Sequence, residues 1–186
     1  MKTGLILVDI QNDYFAGGRM ELFGMDAASA TAKELLIFFR EHQWPTFHIQ
    51  HVAVAEGATF FLPDTKGMEI HNSVKPHPED PVIQKHYPNS FRETPLLNKL
   101  KNTGVESVVI CGAMSHMCID ATTRAAADFG FDCTLIHDGC ATCNLDFGKN
   151  KVLADDVHAS FMAALGAAYA KVMSRKEFIS KIGNNG

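Results

Sequence analysis

The sequence has no long apolar run and no surplus of basic residues. Every apolar stretch is shorter than the roughly 18 to 20 residues that a membrane helix needs, and Asp9 interrupts the first stretch too early for a secretory signal peptide. Seventeen Lys and Arg stand against 21 Asp and Glu, a net charge of −4 with no basic stripe. A nucleic-acid partner is therefore not expected. These absences predict a cytoplasmic protein that binds neither membrane nor nucleic acid.

A disulfide framework is also missing. The five cysteines are an odd number in a compartment expected to be reducing. Cys140 and Cys143 form a C-x-x-C pair, which leaves a redox or metal role open. No second pair with zinc-binding spacing accompanies it, so no zinc site is predicted. Cys111 and Cys133 are expected to be ordinary buried thiols.

The chain length and the absence of repeats indicate one domain. The 186 residues, 46% hydrophobic and 20% charged, can bury a sizeable core without disulfide bonds. No internal repeat, low-complexity segment or linker divides the chain. We therefore expect a single domain over residues 1–186.

Short apolar runs alternate with helical patterns, which predicts an α/β fold. Helices are expected at 26–42 and 95–102, with Asp26 and Thr94 as N-caps, then from about His116 to Gly130 and at 156–170. A polar tail follows residue 173. The pattern predicts a parallel sheet of about six strands with helices on both faces. The strands are expected at 4–10, 46–52, 81–84, 106–112, 132–137 and 171–173.

Residues 53–80 follow no sustained period. Segments of this length inside a compact domain are usually functional or disordered. Phe60, Phe61 and Leu62 provide apolar surface that a disordered segment would not need. We expect a packed lid over the functional site.

The segment VVICGAMSHMCIDATTRAAADFG, residues 108–130, places a cysteine after a buried strand and near the start of a helix. Backbone N–H groups at a helix start favour a thiolate, and ligands of open α/β sheets bind at the carboxyl ends of strands. Cys118 is therefore a candidate nucleophile, although a buried core cysteine fits the same position. The turn before it offers backbone donors for an oxyanion.

Two further residues follow apolar strands and are candidates for the same crevice. Asp9 follows LILV, where it would serve as a general base or cap a turn. Lys85 follows PVIQ, where it would lower the pKa of Cys118, orient Asp9 and hold a substrate carbonyl, or remain an exposed surface charge. His116 lies two residues before Cys118 and is an alternative base in a Cys/His pair.

Three blocks of sequence together resemble the isochorismatase-like cysteine hydrolases. These are LILVDIQNDYF at the first strand, QKHYPNSFRETPL around the lysine, and VVICGAMSHMCIDATTRAAADFGF at the cysteine. The resemblance covers essentially the whole chain in the expected order. It implies that Asp9, Lys85 and Cys118 form a catalytic triad, the same residues that their positions nominate.

The resemblance carries further implications about structure. It implies a Rossmann-like three-layer fold with strand order 3-2-1-4-5-6 and a homo-oligomer, either dimer or tetramer. It also implies a cis peptide between Ala113 and Met114, with the N–H groups of Met114 and Cys118 as oxyanion donors. In such an oligomer the pocket is formed either by one chain or by residues of two neighbouring subunits.

Within that family, subgroups differ at a few positions. Nicotinamidases carry an Asp-x-His metal motif after the second strand, whereas this chain has His48-Ile49-Gln50-His51, so we predict neither metal nor cofactor. Members that hydrolyse vinyl ethers protonate the substrate with the aspartate and can dispense with the cysteine. Retention of Cys118 with Lys85 favours amide chemistry.

The resulting hypothesis is a cysteine hydrolase that cleaves the C–N bond of a small-molecule amide through a thioester. Alternatives are an isochorismatase-type vinyl ether hydrolase that uses Asp9 alone, and an idle binding or scaffold protein on the same fold. Gln11 and Asn12 are expected to brace the first-strand turn. The substrate itself is not specified. Candidate pocket residues are Gln11, Phe15, Phe60, Phe61, Tyr87 and His116.

Overall fold

The protein folds around a six-stranded parallel sheet, as seen in a computed structural model that describes residues 2–183. The strand order is β3-β2-β1-β4-β5-β8, and every neighbouring pair is parallel. The sheet strands are β1 (Thr3–Val8), β2 (Thr46–His51), β3 (Val82–Lys85), β4 (Ser107–Ala113), β5 (Asp132–Ala141) and β8 (Lys171–Met173).

Helices cover both faces of this sheet, which gives the three-layer Rossmann-like fold that was predicted. The apolar side chains on the two faces form two separate core clusters. One face packs against α1 and α5, and the other against α2, α3 and α4. The helices are α1 (Met25–Glu41), α2 (Leu96–Asn102), α3 (Asp120–Asp128), α4 (Ala154–Ala168) and α5 (Arg175–Gly183).

The central strands β1 and β4 approach closely at the end where the site lies. Val8 pairs with Gly112 in the ladder, and a Cβ atom built on Gly112 would lie only 1.9 Å from the Val8 carbonyl oxygen. Gly112 also has a φ of +129°, a backbone conformation that glycine tolerates far better than other residues. Glycine at this position therefore lets the turn before Cys118 lie against the end of β1.

The predicted order 3-2-1-4-5-6 is confirmed except for the number of the last strand. A short antiparallel hairpin, β6 (Leu145–Phe147) and β7 (Asn150–Val152), precedes α4 and was not predicted, so the edge strand is the eighth strand of the chain. The prediction of a polar tail after residue 173 was also wrong. Residues 175–183 form α5, and Phe178 is buried against the sheet.

Several element boundaries differ from the predictions. Gly24, with φ of +74°, is the N-cap of α1, and Asp26 lies in the first turn of that helix instead. The fourth predicted helix begins two residues earlier than expected, at Ala154. Strand β5 continues four residues beyond the predicted end, to Ala141.

Residues 53–80 form the packed segment that was predicted, here called the lid, and it is tied to the turn after β1. Gln11 Nε2 donates to the Met68 carbonyl at 2.7 Å, and Asn12 Nδ2 donates to the Lys66 carbonyl at 2.8 Å. Asp13 Oδ2 accepts from the Phe61 N–H at 2.6 Å. Three consecutive side chains thus hold three points of the lid.

No helix in residues 2–183 combines the length and apolarity that a bilayer crossing requires.

Candidate active site

Asp9 is fully buried directly after the end of β1. Its backbone has a φ of +52°, a left-handed conformation that aspartate tolerates better than most residues. The Asp9 N–H donates to the Ile49 carbonyl of β2, and its own carbonyl accepts from the Gln11 N–H. The chain therefore turns sharply at Asp9, and the carboxylate lies at the carboxyl end of the sheet.

Lys85 is the last residue of β3, and its side chain is buried rather than exposed at the surface. Its Nζ lies 2.7 Å from Asp9 Oδ2, with both side chains fully excluded from solvent. The same Nζ donates to Cys118 Sγ at 3.2 Å. The surface interpretation of Lys85 is wrong, because the β2–β3 ladder brings the end of β3 to the ends of β1 and β4.

Cys118 lies in a single π-helical turn, Ser115–Ile119, that leads directly into α3. The peptide bond between Ala113 and Met114, which precedes this turn, is cis. Cys118 is only 5% exposed. The backbone N–H of Met114 donates to no other described residue, so it is available to a ligand.

The electrostatics of the site favour a neutral thiol at rest. Burial and the Asp9 carboxylate raise the pKa of Cys118, and the Lys85 ammonium opposes them only in part. Burial lowers the pKa of Lys85, but Asp9 and Cys118 outweigh burial and raise it above its ordinary value. The resting site thus holds an ammonium–carboxylate pair beside a thiol, rather than the thiolate suggested by the helix start.

His51, the last residue of β2, is a member of this cluster that the sequence argument did not assign. It pairs with Lys85 in the β2–β3 register, and its Nδ1 lies 2.9 Å from Lys85 Nζ. Burial and the nearby Lys85 cation lower the pKa of His51 to about 4. The position after an apolar strand would have nominated His51 by the same reasoning that nominated Asp9.

Asp9, His51 and Cys118 also offer atoms of the kinds that bind zinc, all within 4.8 Å of one another. Lys85 Nζ lies within hydrogen-bonding distance of one atom of each residue. Because its ammonium already supplies the positive charge there, a metal ion would have to displace it. The prediction of no metal at this site stays a prediction.

Tyr14 was not singled out by sequence, and it lies against the aromatic part of the lid. Its ring centroid is 4.6 Å from that of Phe61 and 5.9 Å from that of Phe60. Burial, followed by the fields of Cys118 and Asp9, raises the pKa of Tyr14. Phe60 and Phe61 therefore share an aromatic cluster with a residue that feels the charges of the site.

The other predicted pocket residues occupy different environments. Phe15 stacks on His71 with ring centroids 3.7 Å apart, and Tyr87 lies under the Arg92 guanidinium at 3.6 Å. His116 Nδ1 contacts Thr142 Oγ1 at 2.7 Å.

The Gln11 side chain makes hydrogen bonds to the backbone of other residues of the protein. It is fully buried, and its side chain bonds both backbone groups of His51, at 2.7 and 2.8 Å, besides the Met68 carbonyl. These bonds fit the bracing role expected for Gln11. The pocket role of each candidate stays a prediction.

The C-x-x-C pair separates across the sheet. Cys140 packs in the cluster on the α3 and α4 face, and its Sγ donates to the Ile136 carbonyl at 3.3 Å. Cys143 packs against the opposite cluster, where its Sγ lies 3.9 Å from Met114 Sδ. The two thiols therefore do not form a paired redox centre in this structure.

Known proteins resemble this chain over nearly its whole length. The uncharacterized isochorismatase family protein YddQ of Bacillus subtilis is 47% identical over 96% of this chain and 99% of its own. A crystal structure assigned as an isochorismatase hydrolase from Oleispira antarctica is 45% identical, with a TM-score of 0.92 and 96% of both chains covered. A ureidoacrylate amidohydrolase from Pseudomonas savastanoi pv. phaseolicola is 21% identical over 82% of this chain and 76% of its own.

The family model described as the isochorismatase domain matches residues 3–177, a range that includes Asp9, Lys85 and Cys118. Given this match and the shared fold, the chain belongs to the isochorismatase family of hydrolases.

Proposed function

We propose that this protein is a cysteine-dependent amidase that cleaves the C–N bond of a small amide through a thioester intermediate. The observation that carries the proposal is the buried contact of Lys85 Nζ with both Asp9 Oδ2, at 2.7 Å, and Cys118 Sγ, at 3.2 Å. A nucleophile, a base and a cation converge from three strand ends, as covalent catalysis requires. The low exposure of Cys118 favours a small substrate.

The reaction begins with the neutral thiol. The Asp9 carboxylate takes the Cys118 proton as the sulfur attacks the amide carbonyl, so a C–S bond forms while the C=O π electrons move to oxygen. Within residues 2–183 neither carboxylate oxygen of Asp9 makes a hydrogen bond, and Oδ2 is the one paired with the Lys85 ammonium, so Oδ1 is free to accept this proton. Lys85 contacts both the Asp9 carboxylate and the Cys118 sulfur and holds them next to each other.

The tetrahedral intermediate then collapses. The N–H groups of Met114 and Cys118 hold the oxyanion. When the C=O bond re-forms, the C–N bond breaks and protonated Asp9 returns its proton to the leaving nitrogen. Asp9 next takes a proton from water, hydroxide attacks the thioester, and the released sulfur recovers that proton. The products are a carboxylic acid and ammonia or an amine.

Amide chemistry is favoured over vinyl ether hydrolysis by the place of Cys118 in the cluster. Protonation of a vinyl ether requires the carboxyl group and has no use for a sulfur held at 3.2 Å from Lys85. The ureidoacrylate amidohydrolase among the relatives is named for reaction at a C–N bond. Both observations support an amidase.

The test is turnover of a panel of small primary and secondary amides, read by product mass spectrometry, with intact-protein mass spectrometry to trap the acyl-enzyme. Wild type should release acid and amine from at least one amide and show a mass increase that maps to Cys118. The Cys118→Ala variant should lose both signals, and Asp9→Asn should lose turnover. Cys133→Ala is the matched control, because that thiol is buried at the opposite end of the sheet.

Two outcomes would contradict the proposal. If Cys118→Ala kept wild-type turnover of a vinyl ether of the isochorismate type while Asp9→Asn lost it, the protein would be a vinyl ether hydrolase. If wild type neither turned over any amide nor formed an adduct, the idle scaffold interpretation would replace the amidase.

A further inference from the structure

Lys85 is held by more than its two triad partners. A lysine ammonium has three N–H donors and no acceptor. Its Nζ contacts three acceptor atoms: Asp9 Oδ2 at 2.7 Å, His51 Nδ1 at 2.9 Å and Cys118 Sγ at 3.2 Å. The three donors of the buried ammonium are therefore matched by three partner atoms of the protein: two hydrogen-bond acceptors, on His51 and Cys118, and the ion-paired oxygen of Asp9.

From this arrangement we infer that His51 is a positioning residue of the catalytic site, the third acceptor that fixes the Lys85 ammonium between Asp9 and Cys118. This inference extends the proposed function, since it concerns the same site. It also revises the idea that Lys85 holds a substrate carbonyl, because three atoms of the protein already lie within reach of its three donors.

The backbone around His51 is suited to this task. The Gln11 amide bonds the N–H and the C=O of His51, as a neighbouring strand would. The β2–β3 ladder sets His51 directly beside Lys85. Because both residues end their strands, the imidazole and the ammonium meet at fixed positions rather than on flexible loops.

The charge state of His51 follows from the contact. Nδ1 accepts a hydrogen bond from an ammonium only when it carries no proton itself, so the ring must be neutral with its hydrogen on Nε2. A protonated ring beside Lys85 would place two cations together in a buried site. The ionisable groups near the ring are Lys85, Asp9, His86 and the Cys118 thiol, which is neutral at rest; of these only Asp9 would favour protonation of the ring.

Loss of the acceptor has a direct consequence for Cys118. A buried N–H without a partner is costly, so the ammonium would move towards water and away from the sulfur. The cation then stabilises the thiolate less. We therefore expect kcat to fall while KM changes little, since His51 contacts Lys85 rather than the substrate.

The first test compares His51→Asn, whose amide oxygen lies where Nδ1 lies, with His51→Leu, which has similar size and no acceptor. Iodoacetamide alkylation of Cys118, followed by peptide mapping from pH 7 to pH 10, reports thiolate formation without any substrate. We expect His51→Leu to react about tenfold more slowly than wild type, the equivalent of one pKa unit, and His51→Asn to react like wild type. Equal rates in all three proteins, or equal slowing in both variants, would overturn the inference.

A second measurement needs no variant. Nitrogen-15 NMR of the wild-type histidine rings should show His51 as the neutral Nε2–H tautomer at pH 6, with Nδ1 shifted as a hydrogen-bond acceptor. An Nδ1–H tautomer or a charged ring would rule out the contact. Neither readout depends on turnover, so an amide panel that gave no product would count against the amidase and leave the role of His51 to be judged separately.

Discussion

The Asp9 carboxylate and the Cys118 thiol share the Lys85 ammonium, and the carboxylate acts against ionisation of the thiol. Burial and Asp9 raise the pKa of Cys118, while Lys85 lowers it. The same carboxylate that is proposed to deprotonate the thiol during catalysis therefore keeps it protonated at rest. A free thiolate is needed only when a substrate carbonyl is in place.

Substitution of Asp9 should separate reactivity of the thiol from catalysis. In Asp9→Asn the negative field is gone and Lys85 remains, so the pKa of Cys118 should fall. We expect iodoacetamide to alkylate Cys118 faster than in wild type at pH 8, by about tenfold for one pKa unit, although amide turnover is lost. Peptide mapping measures the rate, with half-buried Cys143 as the internal reference. Slower alkylation in Asp9→Asn would contradict the assigned electrostatics.

The Asp9–Lys85 pair should also show strong coupling in stability. Both side chains are fully buried at 2.7 Å, so removing one partner leaves an uncompensated group in the core. Asp9→Asn and Lys85→Met should each lower the free energy of unfolding by about 3 kcal/mol. The double variant should recover at least half of the summed loss, because no unpaired charge remains. Urea denaturation of the four proteins gives the cycle, and strictly additive losses would show that the pair is not coupled.

Much of this site was accessible from sequence because parallel strands end at one edge. Asp9 and Cys118 follow strands and Lys85 ends one, and the strand order brings those strand ends together. The same reasoning applied to His51 at the end of β2 would have completed the cluster. The family pattern at this segment concerns only a metal motif, which the sequence His48-Ile49-Gln50-His51 lacks, so the pattern does not nominate His51.

Other features depend on contacts that local patterns do not encode. The β6–β7 hairpin has three-residue strands with mostly exposed side chains, so no alternation marks it, and only Gly148 at φ of +62° indicates the turn. The resting protonation of Cys118 depends on its burial and on Asp9, which is more than one hundred residues away. The position of Cys118 near a helix start therefore predicted a thiolate, whereas its surroundings favour the neutral thiol at rest.

The contact between Asp13 and the lid gives a third prediction. Asp13 accepts from the N–H of Phe61 at 2.6 Å and from the N–H of Arg19 at 3.1 Å, so both carboxylate oxygens are used as acceptors. Asp13→Asn replaces one acceptor with an NH₂ group that faces an N–H donor. Because this leaves a buried donor without a partner, the lid should open more often.

Hydrogen-exchange mass spectrometry measures this opening in residues 53–80. We expect exchange of peptides around Phe61 to be about tenfold faster in Asp13→Asn, corresponding to roughly 1.4 kcal/mol of lost local stability. Asp146→Asn is the matched control, since Asp146 is exposed on the β6–β7 hairpin. Unchanged exchange in Asp13→Asn would mean that the lid is held by other contacts.

His48, in the middle of β2 and three residues before His51, should govern stability in acid. His48 is 1% exposed, and burial lowers its pKa to about 4, although Asp80, with a carboxylate oxygen 3.5 Å from Nε2, raises it in part. In the unfolded chain the pKa returns to about 6.5. Between these values the unfolded state binds more protons than the folded state, so stability rises with pH and is lost as the pH falls from about 6.5 towards 4.

The loss of stability that His48 causes in acid can be measured by comparing wild type with His48→Gln, whose side chain does not titrate. The wild-type free energy of unfolding should decline by about 3 kcal/mol more than that of the variant between pH 7 and pH 4, as the pKa difference implies. Acid-titrating groups that do not contact His48, including His51, are present in both proteins and cancel in the difference. Urea denaturation at half-unit pH intervals measures it. Parallel stability curves would mean that His48 is protonated in the folded state, with its charge neutralised by the Asp80 carboxylate.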